Sequence, residues 1–186
     1  MTALDDVARS ELVTLLRERS FRRGTFTLAS GRQSSCYVDA RLTTMSGRGM
    51  VLVGELGLAA IRNAGWAPAL VGGLTLGADP VAYAIAAASA RRPPIVDGFT
   101  VRREPKGHGT GKRVEGPFLS DATVVAVEDV ITTGASALTA IDAIRAEGGR
   151  VLGVLAVVDR EEGGREAIEA AGYRVVALVR MSDLTR

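Results

Sequence analysis

From residue 69 to residue 179 the chain alternates short apolar runs with amphipathic stretches. ALVGG (69–73), PIVDGFTV (94–101), TVVAVE (123–128), VLGVLAVV (151–158) and YRVVALV (173–179) read as strands, and 77–90, 136–147 and 163–171 read as helices. Strands joined through helices run parallel, and a parallel sheet must be covered on both faces. The run at 151–158 is too apolar for a surface strand, as such a sheet requires. Gly148 and Gly149 close one helix and Gly172 another. The pattern predicts an α/β fold: a mainly parallel sheet flanked by helices, with its binding crevice beyond the carboxyl ends of the strands.

The first 68 residues are less regular. Leu4, Val7, Leu12, Leu15 and Leu16 recur at helical spacing and predict a helix over 4–19, with β-like segments at 24–29 and 36–40. A second helix is expected from a Ser46 cap to Asn63 and Gly65. No fixed-period repeat or linker interrupts the chain. We expect one domain over 1–186, with 1–45 forming a small N-terminal hood.

Several function classes drop out early. One cysteine (Cys36) and one histidine (His108) cannot build a disulfide framework or a Cys/His zinc site, which suits a reducing cytoplasm. The N-terminus opens with acids and helical spacing, unlike a signal peptide. The uncharged stretch 63–78 is broken by glycine and proline and falls short of the roughly 20 apolar residues of a membrane span. Aromatics make up 4% of the chain, too few for a single-strand stacking platform. The net charge of +2 hides an asymmetry: residues 91–113 hold seven basic and two acidic residues, so the rest of the chain is mildly acidic. Both lysines, Lys106 and Lys112, and His108 lie in that segment. A cationic loop of this kind, rich in glycine at 107, 109 and 111, suits a concentrated anion better than a broad nucleic-acid surface.

The strongest motif is VVAVEDVITTGAS at 124–136. An apolar strand ends in two acids, and a Thr-Thr-Gly turn leads into a helix near Ser136. Backbone N–H groups and the helix dipole would converge on one spot there, joined by the hydroxyls of Thr132, Thr133 and Ser136, and a phosphate fits that description. Glu128 and Asp129 beside it make sense for a sugar diol or a hydrated metal, so the combined ligand is a phosphorylated sugar. Other motifs fail on spacing. GHGTGKR (107–113) is one residue short of a P-loop and has Arg113 in place of Ser or Thr, GGLTLG (72–77) lacks the dinucleotide spacing, and GASAL (134–138) lacks the second glycine position of a serine hydrolase elbow.

Residues 124–136 resemble the sugar-phosphate signature of the type I phosphoribosyltransferases. FTLASGRQSSCYVDAR (26–41), GGLTLGADPVAYAIA (72–86), VRREPKGHG (101–109) and DRE (159–161) narrow the resemblance to the orotate phosphoribosyltransferases, over about residues 20 to 180. The resemblance implies transfer of phosphoribose from 5-phosphoribosyl 1-diphosphate (PRPP) to orotate in pyrimidine synthesis. It also implies that Glu128 and Asp129 hold the ribose hydroxyls, and that Val130, Ile131, Thr132, Thr133, Gly134, Ala135 and Ser136 form the phosphate segment. Arg102, Arg103, Lys106 and His108 match a mobile loop (102–113) that reaches the neighbouring subunit of a homodimer. Arg160 matches the orotate carboxylate position, Thr132 lies near the base, and Tyr37 and Val38 match residues packed against it. Lys106, Asp129 and Arg102 are the expected catalytic residues. Ala29 and Leu76 stand where many members carry lysine.

Loss of diphosphate from the anomeric carbon builds positive charge on the ribose and negative charge on the leaving group. Carboxylates at one end and cations at the other answer that demand. Mg²⁺ is expected as the cofactor, held mainly by substrate near Glu128 and Asp129. Two rival readings are a purine phosphoribosyltransferase, which has no use for Arg160 as a carboxylate partner, and a non-catalytic PRPP sensor that binds nucleic acid. Asp79 beside Pro80 reads as a helix cap, and Arg160 has a plain alternative as a surface partner of Glu161 or Glu162.

Overall fold

The computed structural model describes residues 3–27, 33–104 and 112–186. Its centre is a six-stranded sheet in the order β5-β4-β3-β6-β7-β8, formed by β3 (Leu70–Leu74), β4 (Asp97–Val101), β5 (Val114–Glu115), β6 (Thr123–Ile131), β7 (Arg150–Asp159) and β8 (Val175–Arg180). All neighbours pair in parallel except the short edge strand β5, which runs antiparallel to β4.

Alternation along the central strands divides the core into two layers. Val125 and Val127 of β6 and Leu155 and Val157 of β7 pack on one face, with α3 (Gly47–Asn63) and α4 (Ala78–Arg91). Val124, Ala126, Val154 and Ala156 point the other way, against α5 (Ala135–Ala146) and α6 (Gly164–Ala170). A period of two on strands covered on both faces produces this division. Gly72 and Gly73 of β3 are needed for closeness: a Cβ on Gly73 would stand 2.1 Å from the Val127 carbonyl oxygen.

The N-terminal elements sit against the first layer. Helix α1 (Ala3–Leu15) leads into one wider π turn, Leu16–Ser20, rather than the single helix expected to residue 19. Leu12 and Leu16 are fully buried. Strands β1 (Phe21–Thr27) and β2 (Gln33–Val38) form an antiparallel pair with Phe21 opposite Val38, and the short helix α2 (Arg41–Thr44) follows. Buried hydroxyls of Ser20 and Thr43 meet at 2.7 Å, joining the π turn to α2. The C-terminal turn α7 (Met181–Thr185) is held by the N-terminal segment: Arg9 pairs with Asp183, Arg17 donates to the Asp183 carbonyl and Arg23 to that of Thr185.

The strand order places the site. From β3 the chain moves outward to β4 and β5, then crosses back to β6 on the other side of β3. The ends of β3 and β6 therefore diverge into loops on opposite sides of the sheet, which is where an open parallel sheet leaves a crevice.

Candidate active site

A cleft of about 1080 Å³ opens at that divergence. One wall is the loop after β3, Leu74 to Gly77, and another is the β6–α5 turn, Thr132 to Ser136. Gly134 adopts φ +80°, and a Cβ there would stand 2.7 Å from the Gly164 carbonyl oxygen, so glycine is required on both counts. The N-cap Gly134 has no side chain to cap α5, and only a long contact from the Ala135 N–H to Thr133 Oγ1, at 3.5 Å, engages its start. Its first-turn N–H groups have no intrahelical acceptors, and with the dipole they make an anion seat.

Strand β6 runs to Ile131, beyond the end expected at residue 128. Glu128 and Asp129 thus lie inside the last strand turns rather than after them, and β6 sheet pairing holds their backbone (Glu128 opposite Ala156). Glu128 is 7% exposed, and its Oε2 has no hydrogen-bond partner among the described residues. Burial, reinforced by the Asp129 charge and partly offset by Arg103, pushes its carboxyl up to about 8. Burial also raises Asp129, against the opposing pull of its bond from the Val130 N–H at 2.9 Å and the Arg41 charge. Two adjacent acids, both held above their ordinary range by burial, are poised to take a hydroxyl-rich or cationic ligand.

Across the cleft, Arg160 follows β7, its N–H bonded to the Ile131 carbonyl beside the end of β6. It is not a surface residue. Arg160 is 4% exposed, and its Nη2 donates to Ser34 Oγ at 3.1 Å, to the Cys36 carbonyl at 3.4 Å and to Glu162 Oε1 at 2.5 Å. Its Nε has no partner among the described residues. A buried guanidinium with an unmatched N–H leaves capacity for a further anion. Tyr37 and Val38 line the cleft beside it. Tyr37 is 40% exposed and packs on Phe26 at 5.5 Å between ring centres, whereas Val38 is buried in the core.

The cationic segment is described only at its two ends. Arg103 lines the cleft, but Arg102 turns to Glu115 at 3.0 Å on the antiparallel β4–β5 stem. Lys106, His108 and Ala29 lie outside the described residues. Lys112 pairs with Glu147 at 3.5 Å, away from the cleft. Asp79 does not cap its helix as expected: α4 has no side-chain cap, and the Asp79 carboxylate accepts instead from Thr75 and Thr100.

Two contributors escaped the sequence reading. Arg41 lines the cleft while gripping Asp39 with Nε and Nη2 at 2.8 and 2.9 Å, and Gly77 lies against Asp129. The Asp39-x-Arg41 spacing was a visible signal of the first, whereas the second depends on chain segments that meet only after folding. Glu162, expected only as a surface partner, is Arg160's counter-ion inside the cleft.

The cleft joins an anion-favouring helix start, paired acids and a buried guanidinium in one volume, which suits a sugar phosphate at one end and an anionic planar group at the other. A second cavity, of about 250 Å³ and lined by Leu56, Ala60, Val176 and Leu178 among others, contains none of these groups. No protein-family model matches the chain. It is 42% identical over 176 residues to the orotate phosphoribosyltransferase of Rhodopirellula baltica, covering 92% of this chain and 91% of that one. The crystal structure of Mycobacterium tuberculosis orotate phosphoribosyltransferase in complex with Fe(III) dicitrate matches with TM-score 0.85 at 44% identity, covering 96% and 99% of the two chains. The same enzyme in complex with PRPP matches with TM-score 0.79 at 42% identity and the same coverage. Identity at this level along nearly the whole length, on a fold with this cleft at its strand divergence, places the chain in the orotate phosphoribosyltransferase family.

Proposed function

We propose that this protein converts orotate and PRPP to orotidine 5′-monophosphate and diphosphate, a step of pyrimidine synthesis. The observation that carries the substrate assignment is Arg160, buried at 4% exposure across the cleft from the phosphate turn. A carboxylate-bearing base needs such a cation facing it, whereas a neutral purine would leave it unmatched.

In this reading the 5-phosphate sits on the turn Thr132–Ser136 and the first turn of α5. Glu128 and Asp129 accept hydrogen bonds from the ribose hydroxyls and favour the positive charge that develops on the ring. Tyr37 and Val38 pack against the base, and Thr132 lies near it. The diphosphate leaves toward Arg103 and the loop 102–113, whose Lys106, Arg102 and His108 balance its growing charge. Closure of that loop keeps water from the reacting carbon.

The residues present fit a magnesium ion. Two adjacent carboxylates face the cleft, one with an unmatched oxygen, and no third acid, His or Cys completes a cage among the described residues. Such a set suits an ion that keeps substrate oxygens and waters as ligands. Bound beside Glu128 and Asp129, Mg²⁺ supplies charge neutralisation for the leaving diphosphate.

The protein works as a homodimer in this proposal, each 102–113 loop serving its neighbour, with 1–186 acting as one domain and 1–45 completing the base site. Leu42 on α2, Met45 just after it, Met50 and Val51 on α3 and Tyr83 on α4 are exposed apolar side chains that self-association would cover. A reducing cytoplasm fits its single cysteine. No helix among the described residues is long and apolar enough to cross a membrane. The test is the change in orotate absorbance with PRPP and Mg²⁺. Conversion of hypoxanthine or guanine with orotate untouched would favour the purine reading, and no conversion of any base would favour a PRPP-sensing regulator.

A further inference from the structure

We propose that Asp79 is a positioning residue for the diphosphate end of PRPP, acting through the Thr75–Gly77 loop; this rests on the phosphoribosyl-transfer reading above. Each of its carboxylate oxygens is taken by a different hydroxyl. Thr75 Oγ1 donates to Oδ2 at 2.6 Å and Thr100 Oγ1 donates to Oδ1 at 2.8 Å. The Tyr83 hydroxyl lies 2.6 Å from Thr100 Oγ1. Because the Thr100 proton is committed to Asp79, Tyr83 is the donor in that contact. The result is a directed chain, Tyr83 to Thr100 to Asp79, closed from the other side by Thr75.

The chain ties the cleft-lining Thr75 to two elements behind it. Thr75 lies in the loop after β3, Asp79 in the first turn of α4, and Thr100 near the end of β4, two residues before Arg102. The Thr75 N–H also bonds the Val101 carbonyl at 2.9 Å, so the loop is tied to the end of β4 through both backbone and side chain. Two residues on, Gly77 lies against Asp129. Arg103, which lines the cleft, follows directly from the same strand end. One carboxylate therefore sets the distance between the loop, the acid pair and the root of the cationic segment.

The loop needs such support because of its own composition. Position 76 is leucine, 61% exposed, so the loop carries no cation. With the Thr75 hydroxyl proton committed to Asp79, it can offer an anion only backbone N–H groups, and their aim depends on the loop's path. Asp79 is dispensable for packing: α4 docks through Ala78, Val81, Ala82 and Ile85, all fully buried.

Steady-state kinetics on Asp79→Ala, Asp79→Asn and Thr100→Val decide the matter. Asp79→Ala should raise KM for PRPP about tenfold or more while KM for orotate stays within about twofold. Asp79→Asn should return KM for PRPP to within about threefold of wild type, since the amide oxygen accepts one hydroxyl and the other hydroxyl can turn to accept from the amide N–H. A fall in kcat and thermal stability with KM for PRPP unchanged, or equal effects of Ala and Asn, would overturn the proposal. Should Asp79→Ala fail to fold, Thr100→Val decides: a selective rise in KM for PRPP supports the proposal and its absence sinks it. Wild-type protein is assayed first. If it leaves orotate unconverted, the functional reading falls. Calorimetric binding of inorganic diphosphate, weakened by Asp79→Ala and spared by Asp79→Asn, then still supports the positioning role, and equal binding by all three proteins removes it.

Discussion

Gly77 lies so close to Asp129 that a Cβ on the glycine would stand 2.3 Å from Oδ1. The glycine's φ of −61° is open to any residue, so the contact alone excludes a side chain. The loop after β3 and the acid pair on β6 thus define each other's place. Gly77→Ala must displace one of them. We expect the variant to fold and to lose about 10² in kcat/KM for PRPP, the scale of a misplacement of roughly 1 Å at a reacting centre. Thermal unfolding alongside the kinetics checks this, because a comparable loss of stability would move the effect from the site to the fold.

Glu128 gives the site a pH signature. Its carboxyl, pushed up to about 8 by burial and the neighbouring Asp129, stays protonated in the folded protein at pH values where the unfolded chain has ionised. The unfolded state then binds fewer protons, so stability falls as pH rises from the ordinary glutamate range toward 8, by an amount on the order of a few kcal/mol. Glu128→Gln removes that penalty. The variant should gain thermal stability over wild type at pH 8 and little at pH 5, while binding PRPP and Mg²⁺ more weakly. Ligands that need the ionised form should bind wild type more tightly as pH rises through 8, with proton release visible when calorimetry is repeated in buffers of different ionisation enthalpy. An Mg²⁺-PRPP affinity independent of pH between 6.5 and 9 would contradict this assignment.

The parts of this molecule that could be read from sequence are those encoded locally. The unbroken apolar run at 124–127, set among strands joined through helices, marked a strand covered on both faces, and both layers are filled. The Thr-Thr-Gly turn between β6 and α5 was legible for the same reason: strand, turn and helix start within thirteen consecutive residues. What escaped depends on distant partners. Strand β6 continues through Glu128 and Asp129 because β7 pairs with it as far as Ile131 opposite Asp159, and nothing in the two acids announces that. The two-residue β5 exists only because β4 is there to receive it. Asp79 looked like a helix cap because Pro80 follows it, yet its acceptors' partners come from positions 75 and 100.

Arg160 tests the base specificity directly. Glu162 engages its Nη2 at 2.5 Å, and Ser34 and the Cys36 carbonyl share the same nitrogen. Removing one member of a buried hydrogen-bonded charge pair costs about 2–5 kcal/mol, so Arg160→Ala should lower kcat/KM for orotate by roughly 30-fold to several thousandfold. PRPP binding, measured without orotate, should change little. Arg160→Lys should rescue poorly, because an ammonium cannot serve Ser34, Glu162 and a substrate carboxylate from one planar fork. Equal losses for orotate and PRPP would instead mark Arg160 as a structural strut.

The loop assignment rests on Lys106, and mixing variants examines it and the dimer together. Lys106→Ala should lower kcat by about 10²–10³, the usual effect of losing one preorganised donor to a developing anion. Asp129→Asn should impair the site from the ribose side. If each loop serves its neighbour, a hybrid dimer of the two variants contains one site with an intact Asp129 and an intact incoming Lys106, and one site with neither. Random reassortment makes half of all dimers hybrid, so an equal mixture of the two weak proteins should recover about one quarter of wild-type activity under two-fold symmetry. If each loop served its own subunit, every site in every dimer would lack one of the two residues. Activity after mixing would then remain at the level of the separate variants, and the crossed-loop arrangement would be wrong.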